Sequence, residues 1–320
     1  MEFDFGIRHL DYNQRKGMIL KDSVGVVKCK KAFPIYDIDG RDELFKPLSK
    51  TKPWSTPFFA ISEVFWSTII NHFFDSNAPI YKLAICDGYE EAYPSRYSKG
   101  VLVPSIIKED EELLNLLEYY RAHPCDSVDI DKYKNFCGQY YDYTSILNSP
   151  VFQDNRALGS SLAYQILLSL LKNDLNFHYE NVAFITKSGQ ITSLAPPIDH
   201  EFSLPFLFPE GDMLSCIYGK SYFYTLFNKR ASINGINLEA VIANINLIKE
   251  KYPDVSGRFV SKLMTFIWAI RRTKLRLPRD YIEPCHSYLF QKYEGGRPWR
   301  NMVTFACPQR SRTRTGSWTH

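Results

Sequence analysis

The hydrophobic pattern divides the chain into a first part with short β-type runs and a second part with longer helical periods. In the first part, apolar runs separated by Asp, Lys and Gly predict strands at 17–20, 23–28, 32–36, 43–48, 81–86 and 100–104. The stretch from Pro57 to Phe74 has no helix breaker after its first residue and predicts a largely buried helix. Residues 1–105 are therefore predicted to be strand-rich with one helix.

From about residue 108 the hydrophobic period becomes helical. Acidic residues followed by leucines predict a helix that begins at Lys108, and the apolar run 157–171 predicts a buried central helix. Two short apolar runs at 182–186 and 191–194, joined by a turn with Gly189 at its tip, predict a β-hairpin. Amphipathic helices are predicted at 237–251 and 258–272. The whole pattern is typical of an α+β protein.

Composition is that of a soluble globular protein. The chain has 320 residues, 45% of them hydrophobic and 23% charged, and its net charge of +4 is too small to indicate a nucleic-acid partner. No apolar run reaches the roughly 18 residues of a membrane span, and the N-terminus has no signal-peptide pattern. The seven scattered cysteines, none in a C-x-x-C pair, indicate a reducing compartment. We expect a soluble, cytoplasmic protein.

The polar residues around the hairpin predict a magnesium–nucleotide site. Asn181 and Asp199 lie at the two ends of the hairpin, which can bring an amide oxygen and a carboxylate side by side. Those are the ligands that hold Mg²⁺ on nucleotide phosphates in phosphotransferases. A polar loop followed by an ordinary surface hairpin would give the same pattern, so this stretch alone leaves both interpretations open.

The strand-rich part supplies candidates for the remaining components of such a site. Glu63 lies within an apolar helix, where a buried carboxylate is costly unless it is paired, and Lys46 of a neighbouring strand is its predicted partner. The turn with Ser23, Val24 and Gly25 is the candidate loop over the phosphates, although it holds a single glycine and no G-x-G-x-x-G motif. A solvent-facing glutamate and a plain turn remain the alternatives.

The order of these segments resembles the HipA-like serine/threonine kinases over nearly the whole chain. The resemblance is carried by ELFKPLS, the helix with Glu63, FHYENVAFI, the hairpin and PPIDHEFS. Its most specific parts are His178-x-x-Asn181 and Pro-x-x-Asp199-His200. It implies a bilobal protein-kinase-like (HipA-like) fold, with a small β-rich N-lobe at 1–105, a larger helical C-lobe at 106–294 and a basic tail at 295–320.

The resemblance also implies roles for individual residues. ATP and Mg²⁺ would be the cofactors, with Lys46 anchoring the ATP phosphates, Glu63 orienting Lys46, and Asn181 and Asp199 holding Mg²⁺. The segment with Val103, Ser105 and Ile107 would be the hinge that meets adenine.

The chain departs from the family pattern at the catalytic loop. The family usually reads D-x-H-x-x-N, whereas Asn176 stands two residues before His178 here, and the nearest upstream acid is Asp174. The general base is then Asp174, His178 or neither. Because phosphoryl transfer depends mostly on positioning and charge neutralisation, the departure need not abolish activity.

The implied function is transfer of phosphate from ATP to Ser or Thr of a protein substrate, including autophosphorylation, with Ser23 as a candidate acceptor. Within the family the similarity is greatest to a cell-translocating, pro-inflammatory kinase, which implies release into host cells, a host protein as substrate and a part in virulence. Two other functions stay open. One is a nucleotide-binding, pseudokinase-type interaction module, favoured by Asn176, and the other is a kinase of small molecules or lipids.

Overall fold

The computed structural model of the chain describes residues 5–22, 30–50, 57–129, 143–172, 177, 179–198, 200, 238–270 and 281. Within these residues the protein is a mixed α+β structure with two sheets and a set of helices, in agreement with the predicted class. The predicted strand at 23–28 and the basic tail at 295–320 lie outside the described residues.

The first part of the chain forms a six-stranded sheet within the described residues. Its strands are β1 (Ile7–Asp11), β2 (Gly17–Asp22), β3 (Lys30–Ile38), β4 (Arg41–Ser49), β5 (Lys82–Asp87) and β6 (Arg96–Pro104), in the order β1-β5-β6-β4-β3-β2. β1 pairs in parallel with β5, and all other pairs are antiparallel. A short helix, α2 (Tyr89–Ala92), precedes β6. β4, the strand that carries Lys46, therefore lies inside the sheet, between β3 and β6.

Helix α1 (Pro57–Ile69) continues into a π-helical turn (Ile70–Phe74), so the predicted helix at 57–74 is present. The Phe74 carbonyl at its end accepts hydrogen bonds from the Tyr164 hydroxyl, at 3.0 Å, and from the Lys262 ammonium. Burial raises the pKa of Tyr164 to about 12, so this hydroxyl keeps its proton and remains a donor at neutral pH. The helix that carries Glu63 is thus fixed to the helical part of the protein.

A second sheet contains β7 (Glu111–Asn115), β8 (Ala183–Lys187) and β9 (Gln190–Leu194), all antiparallel. The β8–β9 turn has Ser188 and Gly189 at φ angles of 51° and 76°, and the predicted hairpin is confirmed.

The predicted helix start at Lys108 is wrong. Residues 111–115 form β7, because they pair with the edge of β8, and helix α3 (Leu116–Ala122) begins only after them. Asn115 sets this boundary by a capping box, in which its side chain accepts from the Glu118 N–H at 2.8 Å and the Glu118 carboxylate faces the Asn115 N–H. Pairing with a distant strand outweighs the local helical pattern.

The remaining helices of the described residues are α4 (Thr144–Leu147), α5 (Pro150–Gln153), α6 (Arg156–Lys172), α7 (Leu238–Lys251) and α8 (Pro253–Ile270). The helices predicted at 157–171 and 237–251 are confirmed as α6 and α7. α8 begins at Pro253, whose fixed φ suits the first helical position, rather than at residue 258. One hydrophobic core joins α1, α6 and α8. Among the described residues no helix is long and apolar enough to cross a membrane.

Replacing Gly100 by Ala tests the close approach of β6 to β4. A Cβ at this position would lie 2.2 Å from the Lys46 carbonyl oxygen and 2.8 Å from the Pro47 Cα, so the two strands would have to separate. We expect a loss of about 3 kcal/mol in the free energy of unfolding, measured by chemical denaturation. Gly17→Ala is the matched control, because a Cβ there has nothing within 4 Å. Equal effects of the two substitutions would contradict this account.

Candidate active site

Lys46 and Glu63 form an ion pair between the sheet and helix α1. The Lys46 ammonium lies 2.6 Å from Oε1 of Glu63. The Glu63 side chain is 2% exposed, whereas that of Lys46 is 29% exposed. The pairing expected from the sequence is therefore present. A buried carboxylate therefore holds a lysine whose side chain is still partly exposed to solvent.

Strand alternation places Lys46 on the face of the sheet that packs against α1. Lys46 lies opposite Val101 of β6, which belongs to the same core cluster as the residues of α1. Glu43, three residues earlier on β4, points to the other face and pairs there with Lys82 at 3.3 Å. The two lysines have similar exposure, 29% and 33%, but lie on opposite faces of one sheet.

The second oxygen of Glu63 binds the main chain of His200. The His200 N–H donates to Oε2 of Glu63 at 2.6 Å, and the hydroxyl of Ser62 donates to the His200 carbonyl at 2.7 Å. Both main-chain polar groups of His200 are thereby held by neighbouring residues of α1. His200 directly follows Asp199, the predicted metal ligand. The Glu63 carboxylate therefore binds Lys46 with one oxygen and the main chain next to Asp199 with the other.

The predicted hinge connects the two sheets. Val103 is in β6 opposite Leu44, and the next residues leave the sheet. The Ser105 N–H donates to the Asp42 carbonyl, and its hydroxyl donates to the Ile107 carbonyl, each at 2.9 Å. Ile107 packs against a small apolar cluster in and beside the β8–β9 hairpin. The segment is thus tied to β4 at one end and to the hairpin at the other.

The β8–β9 hairpin brings the chain around Asn181 close to the chain that leads to Asp199. The Ala195 N–H donates to the Ala183 carbonyl at 2.8 Å. Ala183 lies two residues after Asn181, and Ala195 lies four residues before Asp199. Gln165 of α6 donates to the Ala195 carbonyl at 2.6 Å and fixes the exit from β9. Asn181 itself is half-buried.

Several predicted site residues lie outside the described residues. They are Ser23, Val24 and Gly25 of the candidate phosphate loop, Asp174, Asn176 and His178 of the candidate catalytic loop, and Asp199. Two described residues of the candidate catalytic loop, Phe177 and Tyr179, are buried, and both rings contact the ring of Tyr143. The Tyr143 hydroxyl also donates to the Phe177 carbonyl at 3.4 Å.

Sequence reasoning missed the residues that hold this site in place. Ser62, Gln165 and Lys172 contact the chain on either side of Asp199, and none of them belongs to a motif. The sequence signal was Lys172, a charged residue that directly follows the apolar run at the end of α6. A lysine in the last turn of a helix is usually explained by its favourable interaction with the helix dipole, so Lys172 did not indicate a contact with His200.

Comparison with known proteins gives limited similarity. No family model matches the chain, and no curated protein matches it. Among solved structures, a proinflammatory kinase of Helicobacter pylori, CtkA, is similar with a TM-score of 0.41 and 14% identity, over 82% of this chain and 90% of that one. Hydra Fam20, solved with sugar, is similar with a TM-score of 0.33 and 15% identity, over 75% of this chain and 85% of that one. Both TM-scores are below 0.5, so we base the function on the residues of the site.

A double-mutant cycle tests how far Lys46 and Glu63 depend on each other. Lys46→Met leaves a buried carboxylate without its cation, and we expect it to lower the free energy of unfolding by about 2 kcal/mol. In the Glu63→Gln background the same change should cost less than half as much, because Lys46 then no longer neutralises a buried carboxylate. Chemical denaturation measures each variant.

Lys16→Met is the control for this cycle, because it removes an exposed ion pair with Asp42 and should have no measurable effect. Strictly additive effects of Lys46→Met and Glu63→Gln would show that the pair carries no coupling.

Proposed function

We propose that this protein is an ATP- and Mg²⁺-dependent kinase that transfers phosphate to serine or threonine of proteins, itself included. The observation that carries the proposal is the ion pair of Lys46 with the buried Glu63, at 2.6 Å, beside the chain that follows Asp199. In kinases, a strand lysine held by a helix glutamate neutralises the nucleotide phosphates. The resemblance of the sequence motifs to HipA-like kinases supports the same assignment.

The residues present fit a nucleotide. The Lys46 side chain is 29% exposed while that of its partner Glu63 is almost wholly buried, so the ion pair holds the lysine from the side of the helix and leaves part of its side chain at the surface. An ammonium held in advance costs little reorganisation when charge develops on the transferring phosphoryl group. The apolar cluster of Ile106 and Ile107 against Ala183, Ile185 and Ala195 offers a surface for a flat base beside the hinge.

The donor set also fits Mg²⁺, with Asn181 and Asp199 as its proposed ligands. Amide and carboxylate oxygens are the ligands this hard cation prefers. The hydrogen bond between Ala195 and Ala183 supports their proximity, because it joins the two chain segments that lead to these ligands. Bound Mg²⁺ would neutralise charge on the nucleotide phosphates.

The acceptor hydroxyl would lie beside the loop 174–178. We propose Asp174 as the group that takes its proton, with His178 as the alternative, because Asn176 has no basic oxygen of comparable strength. The protein substrate would be a host protein if the chain is released from its producer, as the resemblance implies.

Incubation with γ-labelled ATP and Mg²⁺, with and without a generic protein acceptor, tests the proposal. We expect labelled protein with the wild type, and at least about a hundredfold less label with Lys46→Ala and with Asp199→Ala. Chelation of Mg²⁺ should abolish the label.

Lys82→Ala is the matched control, since Lys82 pairs with a buried glutamate on the opposite face of the same sheet and should leave the rate near that of the wild type. A wild type that binds ATP but incorporates no label would favour the pseudokinase-type module. Label on a small molecule or lipid, with none on protein, would redirect the substrate class.

Two further variants identify the base and the acceptor. Asp174→Ala should lower the rate of labelling by about a hundredfold or more, whereas His178→Ala should lower it less. Mass spectrometry of the labelled wild type should find phosphate on Ser23, and Ser23→Ala should remove that site. A larger effect of His178→Ala than of Asp174→Ala would exchange the two roles.

A further inference from the structure

Lys172 is a buried lysine that has no part in the proposed reaction. It is the last residue of α6 and is 1% exposed. Its ammonium lies 2.9 Å from Nδ1 of the His200 ring. Because a buried ammonium is costly unless it is well partnered, its retention in the core indicates a specific task for the contacts it makes.

The contact with Lys172 fixes the ring of His200. An ammonium can only donate hydrogen bonds, so Nδ1 of the ring accepts here and the ring proton is on Nε2. The same ring stacks against Tyr81, with the ring centroids 5.7 Å apart and the planes at 25°. His200 is 1% exposed and has little freedom to turn.

The main chain of His200 is held from the other side by α1. Ser62 binds its carbonyl at 2.7 Å and Glu63 binds its N–H at 2.6 Å. Together with Lys172, which binds the ring, these contacts hold His200 at its carbonyl, its N–H and its side chain. Three separate parts of the chain, α1, the residue before β5 and the end of α6, meet at the residue directly after Asp199.

We propose that Lys172 is a positioning residue for the magnesium site. By holding the His200 ring, it would fix the main chain at the residue after Asp199, which is the proposed Mg²⁺ ligand. This inference rests on the proposed function, in which Asp199 binds Mg²⁺. Lys172 contacts neither nucleotide nor metal in this role and acts through His200.

The first test reads the position of the chain without any activity. Hydrogen–deuterium exchange of a peptide that includes His200 is measured for the wild type and Lys172→Met. Methionine has a similar length but cannot donate a hydrogen bond, and we expect about tenfold faster exchange at this peptide. Lys251→Met is the matched control, because it removes a lysine contact to Asn148 elsewhere in the helical part and should leave the peptide unchanged. Unchanged exchange in Lys172→Met overturns the inference.

The second test reads the metal. The Mg²⁺ concentration for half-maximal labelling should rise about tenfold in Lys172→Met, as is usual when the partner of a metal ligand is loosened. Nucleotide affinity without Mg²⁺ should stay close to that of the wild type. A purely structural role would lower the yield of folded protein but leave the Mg²⁺ concentration for half-maximal labelling unchanged, and that result also overturns the inference.

The histidine itself supplies a second pair of variants if Lys172→Met does not fold. His200→Asn keeps an acceptor that Lys172 can reach and should retain a Mg²⁺ requirement near that of the wild type, whereas His200→Leu should raise it about tenfold. Equal behaviour of the two variants contradicts the role of the contact. A wild type that binds no nucleotide overturns the proposed function and with it the magnesium part of this inference, while the exchange rate still decides whether Lys172 holds the chain.

Discussion

The rest of the site depends on the contacts made by the buried carboxylate of Glu63. One oxygen binds Lys46 of the sheet and the other binds the main chain of His200, so a single group joins three parts of the fold. Leaving such a buried carboxylate without any partner would cost several kcal/mol. The strand, the helix and the chain after β9 are therefore fixed relative to one another.

Helix α1 can serve as this common reference because it is anchored at more than one point. Its residues Ser62 and Glu63 bind His200, and the Phe74 carbonyl beyond its end binds side chains of α6 and α8. The hydrophobic core that it shares with those helices fills the space between these polar contacts. Apolar packing thus sets the position of α1 and of the buried polar groups that it carries. The hydrogen bonds then set the orientation of the Ser62 and Glu63 side chains.

Local periodicity was sufficient to predict α1, α6 and the β8–β9 hairpin, because each of them follows its own hydrophobic pattern. It failed at residues 111–115, where pairing with a strand about 70 residues away in the sequence overrides the helical pattern. The pairing of Lys46 with Glu63 was predictable because a carboxylate in an apolar helix needs a partner. The contact of Lys172 with His200 was not, since nothing in the sequence near either residue tells which distant side chain it meets.

The parallel pairing of β1 with β5 has a consequence for the order in which the sheet is made. Ile7 pairs with Leu83, and among the described residues three strands and helix α1 separate the two partners along the chain. The antiparallel strands β2 to β4 close short loops, whereas β1 must wait until β5 has been synthesised. On the ribosome, the first strand would spend the intervening seconds without its partner, with its backbone donors and acceptors exposed to other chains.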